Sequence, residues 1–372
     1  MGNSASSLPY SIGKQVSLLN HGWALHEGTQ KSDGASVSVF VAKKPALNKT
    51  PVDRSRNPSV MQLGPALHHF MHCKKLRHPH ILKVYATLDT DHPNDSSSGG
   101  AAGTGAPTAA TNAASSSSKT AGSETGDLII VTEPCMTLDA WLQTHQPPPE
   151  VIAWGLESIV RALSFLHGSA HLAHANVSPE SFLVTPAGDV KLWNFSLVTN
   201  IDPNNSGLNR QFLDWEALLT PTPYRSPERI EGRWEAIAVS PVHVMDSYSV
   251  GVMASHLFHN QLPPALVKAV QRMQTPNLKM RPRLQPLLKC PIFDTPYQKL
   301  QLQLEEFTVQ PVEQKISFWQ TVTPQMTVGL IPRDVSLYKL LPLIKTSAMT
   351  IAQSDSLKAQ DMYRRERKYE FE

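Results

Sequence analysis

A helical stretch that runs into a short apolar hairpin constrains this chain most. From Pro147 onward, Val151, Ile152, Leu156, Ile159, Val160, Leu163 and Leu166 recur at helical spacing. Ser181-Phe182-Leu183-Val184 and Val190-Lys191-Leu192-Trp193 then flank the turn Pro186-Ala187-Gly188-Asp189, which is the pattern of a β-hairpin. Upstream, 81–88 and Asp127–Thr132 read as neighbouring strands of one sheet. Downstream, 243–290 returns to helical spacing with proline-rich breaks, and two more helical patterns lie near 311–326 and 333–347. The order is a strand-rich first part, a helical second part holding one buried hairpin, and an all-helical appendix.

Bulk numbers narrow the classes. With 41% apolar residues in 372, a sizeable core can form and wholesale disorder is excluded. Three cysteines, Cys73, Cys135 and Cys290, stand far apart, which excludes a disulfide scaffold or zinc cluster and fits a reducing compartment. The histidines scatter without ligand spacing, so no metal or other cofactor is expected. A net charge of +3 is no signature of nucleic-acid binding, and no run approaches the roughly 18 apolar residues of a membrane span.

Two segments fall outside any core. Residues 1–14 read as a flexible N-terminus in which Met1-Gly2-Asn3-Ser4-Ala5-Ser6 fits the myristoylation pattern, with Gly2 as acceptor; a plain Ser-rich start is the other reading. One acyl chain binds membranes marginally, and only Lys14 stands nearby as a base, so anchoring would be reversible or completed by a partner. Residues 94–126 contain no Leu, Ile, Val, Met or aromatic residue, so they are expected to be disordered. They read as an insertion in a hairpin loop, with an interdomain linker as the alternative.

Six short motifs then resemble protein kinases in order and spacing over about residues 15–293. Arg77-His78-Pro79-His80-Ile81 resembles the segment after the αC helix. His174-Ala175-Asn176, followed by Ser181, resembles the catalytic loop, and Asn194-Phe195-Ser196 stands where D-F-G is expected. Tyr224-Arg225-Ser226-Pro227-Glu228 resembles A-P-E, Asp246-Ser247-Tyr248-Ser249-Val250-Gly251 the start of the central C-lobe helix, and Arg281-Pro282 the late arginine. The resemblance implies an α+β, bilobal protein-kinase-like fold with a strand-rich N-lobe and a helical C-lobe.

Phosphoryl transfer in that family uses a strand lysine, an αC glutamate, two metal-binding side chains and a catalytic-loop aspartate. Read back from Gly28 and Gly34, the lysine position is Phe40; a second register would use Lys43 or Lys44. The glutamate position is His69. Asn176 replaces the proton-accepting aspartate, Ser181 the metal-binding asparagine, Asn194 the metal-binding aspartate, and Ser196 the glycine after it. Across 20–28, bulky Trp23 stands where a glycine would let backbone amides approach phosphate. Three scaffold charges remain: Glu228 and Arg281 for a buried bridge, and Asp246 for the catalytic-loop backbone. The pattern predicts a pseudokinase; an atypical active kinase using Lys43 or Lys44 with a rearranged metal site is the rival.

Several stretches resemble the SCY-like pseudokinases, also called N-terminal kinase-like proteins: Trp23-Ala24-Leu25-His26-Glu27-Gly28, Val37-Ser38-Val39-Phe40-Val41, Leu163-Ser164-Phe165-Leu166, His174-Ala175-Asn176-Val177, Glu305-Glu306-Phe307 through Phe318-Trp319, and Leu340-Leu341-Pro342-Leu343. The resemblance implies a non-catalytic scaffold in vesicle traffic. It also implies coat components and small GTPase machinery as partners, and a cytoplasmic protein peripheral on Golgi or endosomal membranes. It implies as well that 294–372 begins a HEAT-repeat region. HEAT repeats run about 40–47 residues and need at least three to bury a core, so this all-α segment is incomplete, as a fragment or a short form. The ending Tyr369-Glu370-Phe371-Glu372 is not a dibasic coat-binding tail. An adapter that is never lipidated is a third reading.

Overall fold

The computed structural model describes residues 8–19, 22–44, 58–91, 97–98, 126–201, 219–327 and 331–347. Gly2, most of 94–126 and the charged tail lie outside these residues. The chain divides into two compact units, Met1–Thr185 with Val190–Phe293, and Asp294–Glu372 with the turn Pro186–Asp189. The turn was expected inside the first unit. It groups with the second, where Asp189 accepts a hydrogen bond from Lys339 Nζ at 2.6 Å.

In the first unit, β1 (Tyr10–Leu18), β2 (Trp23–Gln30), β3 (Ser36–Lys43), β4 (Val84–Asp89), β5 (Ser97–Ser98) and β6 (Asp127–Thr132) form one sheet in the order β1-β2-β3-β6-β4-β5. Every pairing is antiparallel. Strand β3 alternates: Val37 and Val39 join a cluster with Leu88, Ile129 and Val131, while Phe40 points to the other face. The neighbouring strands expected on either side of the insertion are β4 and β6. Within 94–126 the expectation of a structureless block is corrected at Ser97–Ser98, which pairs with Ala86 and Thr87. Strand pairing uses backbone groups, so two serines suffice at a sheet edge.

Helix α1 (Pro58–Lys75) follows β3. After β7 (Met136–Thr137) come α2 (Leu138–His145) and α3 (Pro149–Phe165), then β8 (Phe182–Val184) and β9 (Val190–Leu192). Strands β7, β8 and β9 make a second, three-stranded sheet. Helix α3 is buried at every residue from Val151 to Val160. It lies so close to β9 that a Cβ on Gly155 would stand 2.9 Å from Val190 Cγ2. Helices α4 (Pro227–Ile230), α5 (Trp234–Ala238), α6 (Val244–Leu257) and α7 (Pro264–Met273) complete the helical lobe.

The second unit contains α8 (Pro296–Glu306), α9 (Val312–Thr327) and α10, which begins at Arg333–Val335, passes a π turn at Ser336–Leu340 and runs through 341–347. Leu300, Leu304, Phe307, Phe318, Val322 and Leu340 form its core. The sequence reading placed no helix at α2 or α8. Among the described residues no helix is long and apolar enough to cross a membrane.

Candidate functional site

The cleft between the sheet and the helical lobe is where the kinase-like motifs converge. Phe40 is fully buried, paired across β3 with Leu25 of β2 and Ile130 of β6. Its ring stacks on Trp193, with centroids 4.1 Å apart. Trp193 immediately follows β9, and its ring meets His69 of α1 edge-on at 4.2 Å. Trp23, the first residue of β2, meets the same imidazole at 5.3 Å. Phe40, Trp193, His69 and Trp23 are each no more than 2% exposed, so four rings form one continuous packed row. His69 Nδ1 accepts the backbone N–H of Phe195 at 2.9 Å.

The described part of the segment read as a degenerate glycine loop, 22–28, runs from a turn into β2. The turn between β1 and β2 ends at Gly22, which has φ +80°, and every residue from Trp23 to Gly28 lies in β2. Gly28 sits mid-strand because a Cβ there would stand 2.7 Å from Val39 Cγ2 and 2.8 Å from the Ser11 carbonyl. Asn20 and His21 lie outside the described residues.

Lys43 is exposed and registers with Asp127. Lys44 forms ion pairs with Asp89 and with Asp91, the latter at 2.9 Å. Burial lowers its affinity for the proton, but the hydrogen bonds to the two carboxylates outweigh that and hold its pKa above the ordinary value. Lys43 thus lies at the end of β3 and Lys44 is committed to two carboxylates.

The loop at 174–176 hangs from Asp246, fully buried in the first turn of α6. Asp246 Oδ2 accepts the N–H of His174 at 2.7 Å and Oδ1 that of Ala175 at 2.8 Å. His167 Nε2 bonds Oδ2 at 2.8 Å. Burial pushes the Asp246 carboxyl up, but these partners more than reverse it and hold it below the ordinary carboxylate value. The His174 imidazole donates through Nε2 to the Trp193 carbonyl at 3.3 Å and accepts the Asn176 N–H at Nδ1. Burial keeps its pKa low despite Asp246.

Asn176 is buried, and neither its amide nitrogen nor its oxygen finds a hydrogen-bond partner. Ser181 turns back on the loop, its hydroxyl donating to the Asn176 carbonyl. Asn194 holds φ +60°; its Oδ1 accepts the Ser196 N–H at 3.4 Å, while its amide nitrogen and the Ser196 hydroxyl are buried without partners. These four side chains are neutral: an amide or a hydroxyl takes no proton near pH 7 and offers Mg²⁺ a weaker ligand than a carboxylate. Among the described residues no cluster of His, Cys, Asp and Glu could hold a metal ion.

Glu228 and Arg281 meet in a two-pronged pair, at 2.6 and 2.8 Å, with both side chains fully buried. Burial raises the Glu228 carboxyl, but bonds from Arg281 and from the Ser226 hydroxyl hold it below its ordinary value. Sequence reasoning passed over two further anchors, Arg229, which donates to the Ala175 carbonyl at 2.7 Å, and His167. Arg229 stands directly after Glu228 and His167 directly after Leu166, a proximity to motifs that could have marked both.

Comparison with known proteins follows the same outline. The protein kinase domain description matches residues 56–282. The chain is 26% identical over 357 residues, 92% of its length, to "Probable inactive serine/threonine-protein kinase scy1" of Dictyostelium discoideum. It is 24% identical over 292 residues, 71% of its length, to human SCY1-like protein 2. It spans 37% and 26% of those two relatives' own lengths. A crystal structure of Cex1p superposes with a TM-score of 0.61 at 16% identity, covering 96% of this chain and 57% of that one, a likeness of fold. The chain belongs to the protein kinase domain family, and SCY1-like proteins are its distant relatives over most of its length.

Proposed function

We propose that this chain is a catalytically silent kinase-fold scaffold. The observation that carries the reading is the packed row of Phe40, Trp193, His69 and Trp23, lying where the sequence reading puts the phosphate-binding lysine, its glutamate and the glycine loop. Aromatic rings that fill a site leave neither charge nor space for a triphosphate. The neutral Asn176, Ser181, Asn194 and Ser196 take the remaining catalytic and metal-binding positions in this reading. The scaffold charges Glu228, Arg281 and Asp246 hold the activation-segment end and the loop in place without them.

The rest rests on resemblance. The scaffold serves vesicle traffic at Golgi or endosomal membranes, with coat components and small GTPase machinery as partners. It attaches peripherally through an acylated Gly2, and 294–372 begins a HEAT-like array. The name of the Dictyostelium relative supports the inactive part of the reading.

The deciding experiment is a thermal-shift titration with ATP, with and without Mg²⁺. No shift is expected in either series, and a Mg²⁺-dependent rise overturns the silent reading. Mass spectrometry of the chain from a eukaryotic host tests the lipid: an unmodified Gly2 removes the membrane anchor and leaves the scaffold.

A further inference from the structure

A cavity of about 380 Å³ opens in the helical lobe beside His167, which is bonded to Asp246. Three segments distant in sequence build it: the π turn Leu166–Ala170 at the end of α3, residues 241–243 leading into α6, and residues 283–285. Its wall carries His167, His171, His243 and Arg283, and no carboxylate. Among the described residues, the side chains of His171 and Arg283 make no hydrogen bond or ion pair, and both residues are exposed; the His171 N–H donates to the Leu166 carbonyl. His167 and His243 lie deeper. Each has one ring nitrogen committed, Nε2 of His167 to Asp246 and Nε2 of His243 to the Arg281 carbonyl at 3.3 Å, which leaves Nδ1 on both. His243 also stands at the N-cap of α6, a 14-residue helix, where the helix dipole favours negative charge.

Of the four basic groups around the cavity, His167 pairs with Asp246, and the side chains of His171, His243 and Arg283 form no ion pair among the described residues, which leaves the cavity electrostatically incomplete. The nearest carboxylate, Asp246, is already saturated by His167 and the N–H groups of His174 and Ala175. Arg281 is occupied by Glu228. Burial, chiefly, holds the His243 imidazole below its ordinary pKa; the bond to the Arg281 carbonyl and the Asp246 charge work against that, and repulsion from His167 and Arg283 adds to it. An anion would relieve that repulsion. The volume lies within the roughly 300–1,000 Å³ of small-molecule sites, and Pro241, Val242 and Leu284 give it an apolar side.

We propose that this cavity binds a small phosphate monoester, its phosphate held by Arg283 and the imidazoles of His167, His171 and His243 and its organic part against Val242 and Leu284. Binding takes up a proton at His243, because burial keeps its imidazole below the ordinary pKa and the anion offsets that cost. The cavity shares no lining residue with the row of rings, and His167 and Asp246 link it to the loop at 174–176.

Calorimetric titration of the full chain with inorganic phosphate and with glycerol 3-phosphate tests this. Saturable binding is expected for both, about tenfold tighter near pH 6 than near pH 7.5, with proton uptake seen by changing the buffer. Arg283→Gln and His171→Ala, both at exposed unpaired positions, are expected to weaken binding by about tenfold or more with an unchanged melting curve. Failure of inorganic phosphate or glycerol 3-phosphate to saturate near pH 6, or binding by either variant equal to that of the unaltered chain, overturns the proposal. Binding to vesicles carrying phosphatidylinositol 4-phosphate without binding of the soluble ester overturns it too, in favour of a lipid headgroup.

Discussion

The backbone N–H of Phe195 donates to Nδ1 of His69 across 2.9 Å, tying α1 to the segment that follows the second hairpin strand. In working kinases the αC helix is held toward the cleft by a lysine–glutamate ion pair. Here the imidazole of His69, packed between Trp23 and Trp193, ties α1 to that segment through a backbone hydrogen bond. His69→Leu leaves the Phe195 N–H buried and unpaired, which costs about 1–3 kcal/mol. His69→Gln, which can present an amide oxygen to the same N–H, is expected to lose less. Urea unfolding checks this: the Leu variant's midpoint falls further than the Gln variant's, with unchanged slopes.

The Glu228–Arg281 pair lies wholly out of water, so its two halves fail in a characteristic way. Removing one partner strands a buried charge, and Glu228→Gln or Arg281→Met is expected to cost about 3–5 kcal/mol. Removing both is expected to cost clearly less than the sum, because neither charge is then left alone. A double-mutant cycle in denaturant measures the difference. An additive result would mean that the pair contributes nothing beyond its separate packing.

Acid stability follows from the direction of each shifted group. Burial, chiefly, holds His72, His78, His174 and His243 below the ordinary 6.5. As pH falls through 6.5 the unfolded chain takes up protons that the folded chain refuses, so the stability these groups contribute is complete above 6.5 and drains away below it. Glu228 and Asp246, held below 4.5 and 3.8 despite burial, add a second loss as pH falls through those values. Glu157, raised by burial, works in the opposite sense at low pH. Only the histidines among these groups titrate between about pH 7.5 and 5.5, so the melting temperature in phosphate-free buffer is expected to fall over that range. A flat or rising profile contradicts it.

What the sequence disclosed depended on whether a segment's buried face was apolar. Helix α3 and the β8–β9 hairpin were legible because Val151 to Leu166 and Phe182 to Leu192 bury mostly aliphatic side chains at regular spacing. Helix α8 was not, because its buried face mixes Leu300 and Leu304 with the fully buried Gln298 and Gln301, which dilutes the period. Helix α2 buries only Leu138 and Trp141 in eight residues, too short a run to stand out. At the cleft, residue identities could be read from motif spacing. The stacking of Trp193 on Phe40 could not, since it depends on how a hairpin and a strand more than a hundred residues apart come together. The cavity beside His167 draws on three segments that share no motif, and no pattern along the chain connects them.

Two glycines, Gly28 within β2 and Gly34 in the β2–β3 turn, separate packing from backbone conformation. At Gly28 a Cβ would meet Val39 Cγ2 at 2.7 Å, the Ser11 carbonyl at 2.8 Å and Val37 Cγ2 at 3.0 Å, and two of these belong to the core of the sheet. Gly28→Ala must push β1 or β3 aside, a cost of about 1–3 kcal/mol. Gly34 has open space around its Cβ position but φ +71°, so Gly34→Ala carries only the left-handed penalty of about 1–2 kcal/mol. Gly34→Asn, which tolerates that region better, is expected to recover part of it, whereas Gly28→Asn is expected to be worse than Gly28→Ala. Equilibrium unfolding of the four variants reads both orders. Recovery by asparagine at 28 would mean that conformation, not the contact with Val39, requires glycine there.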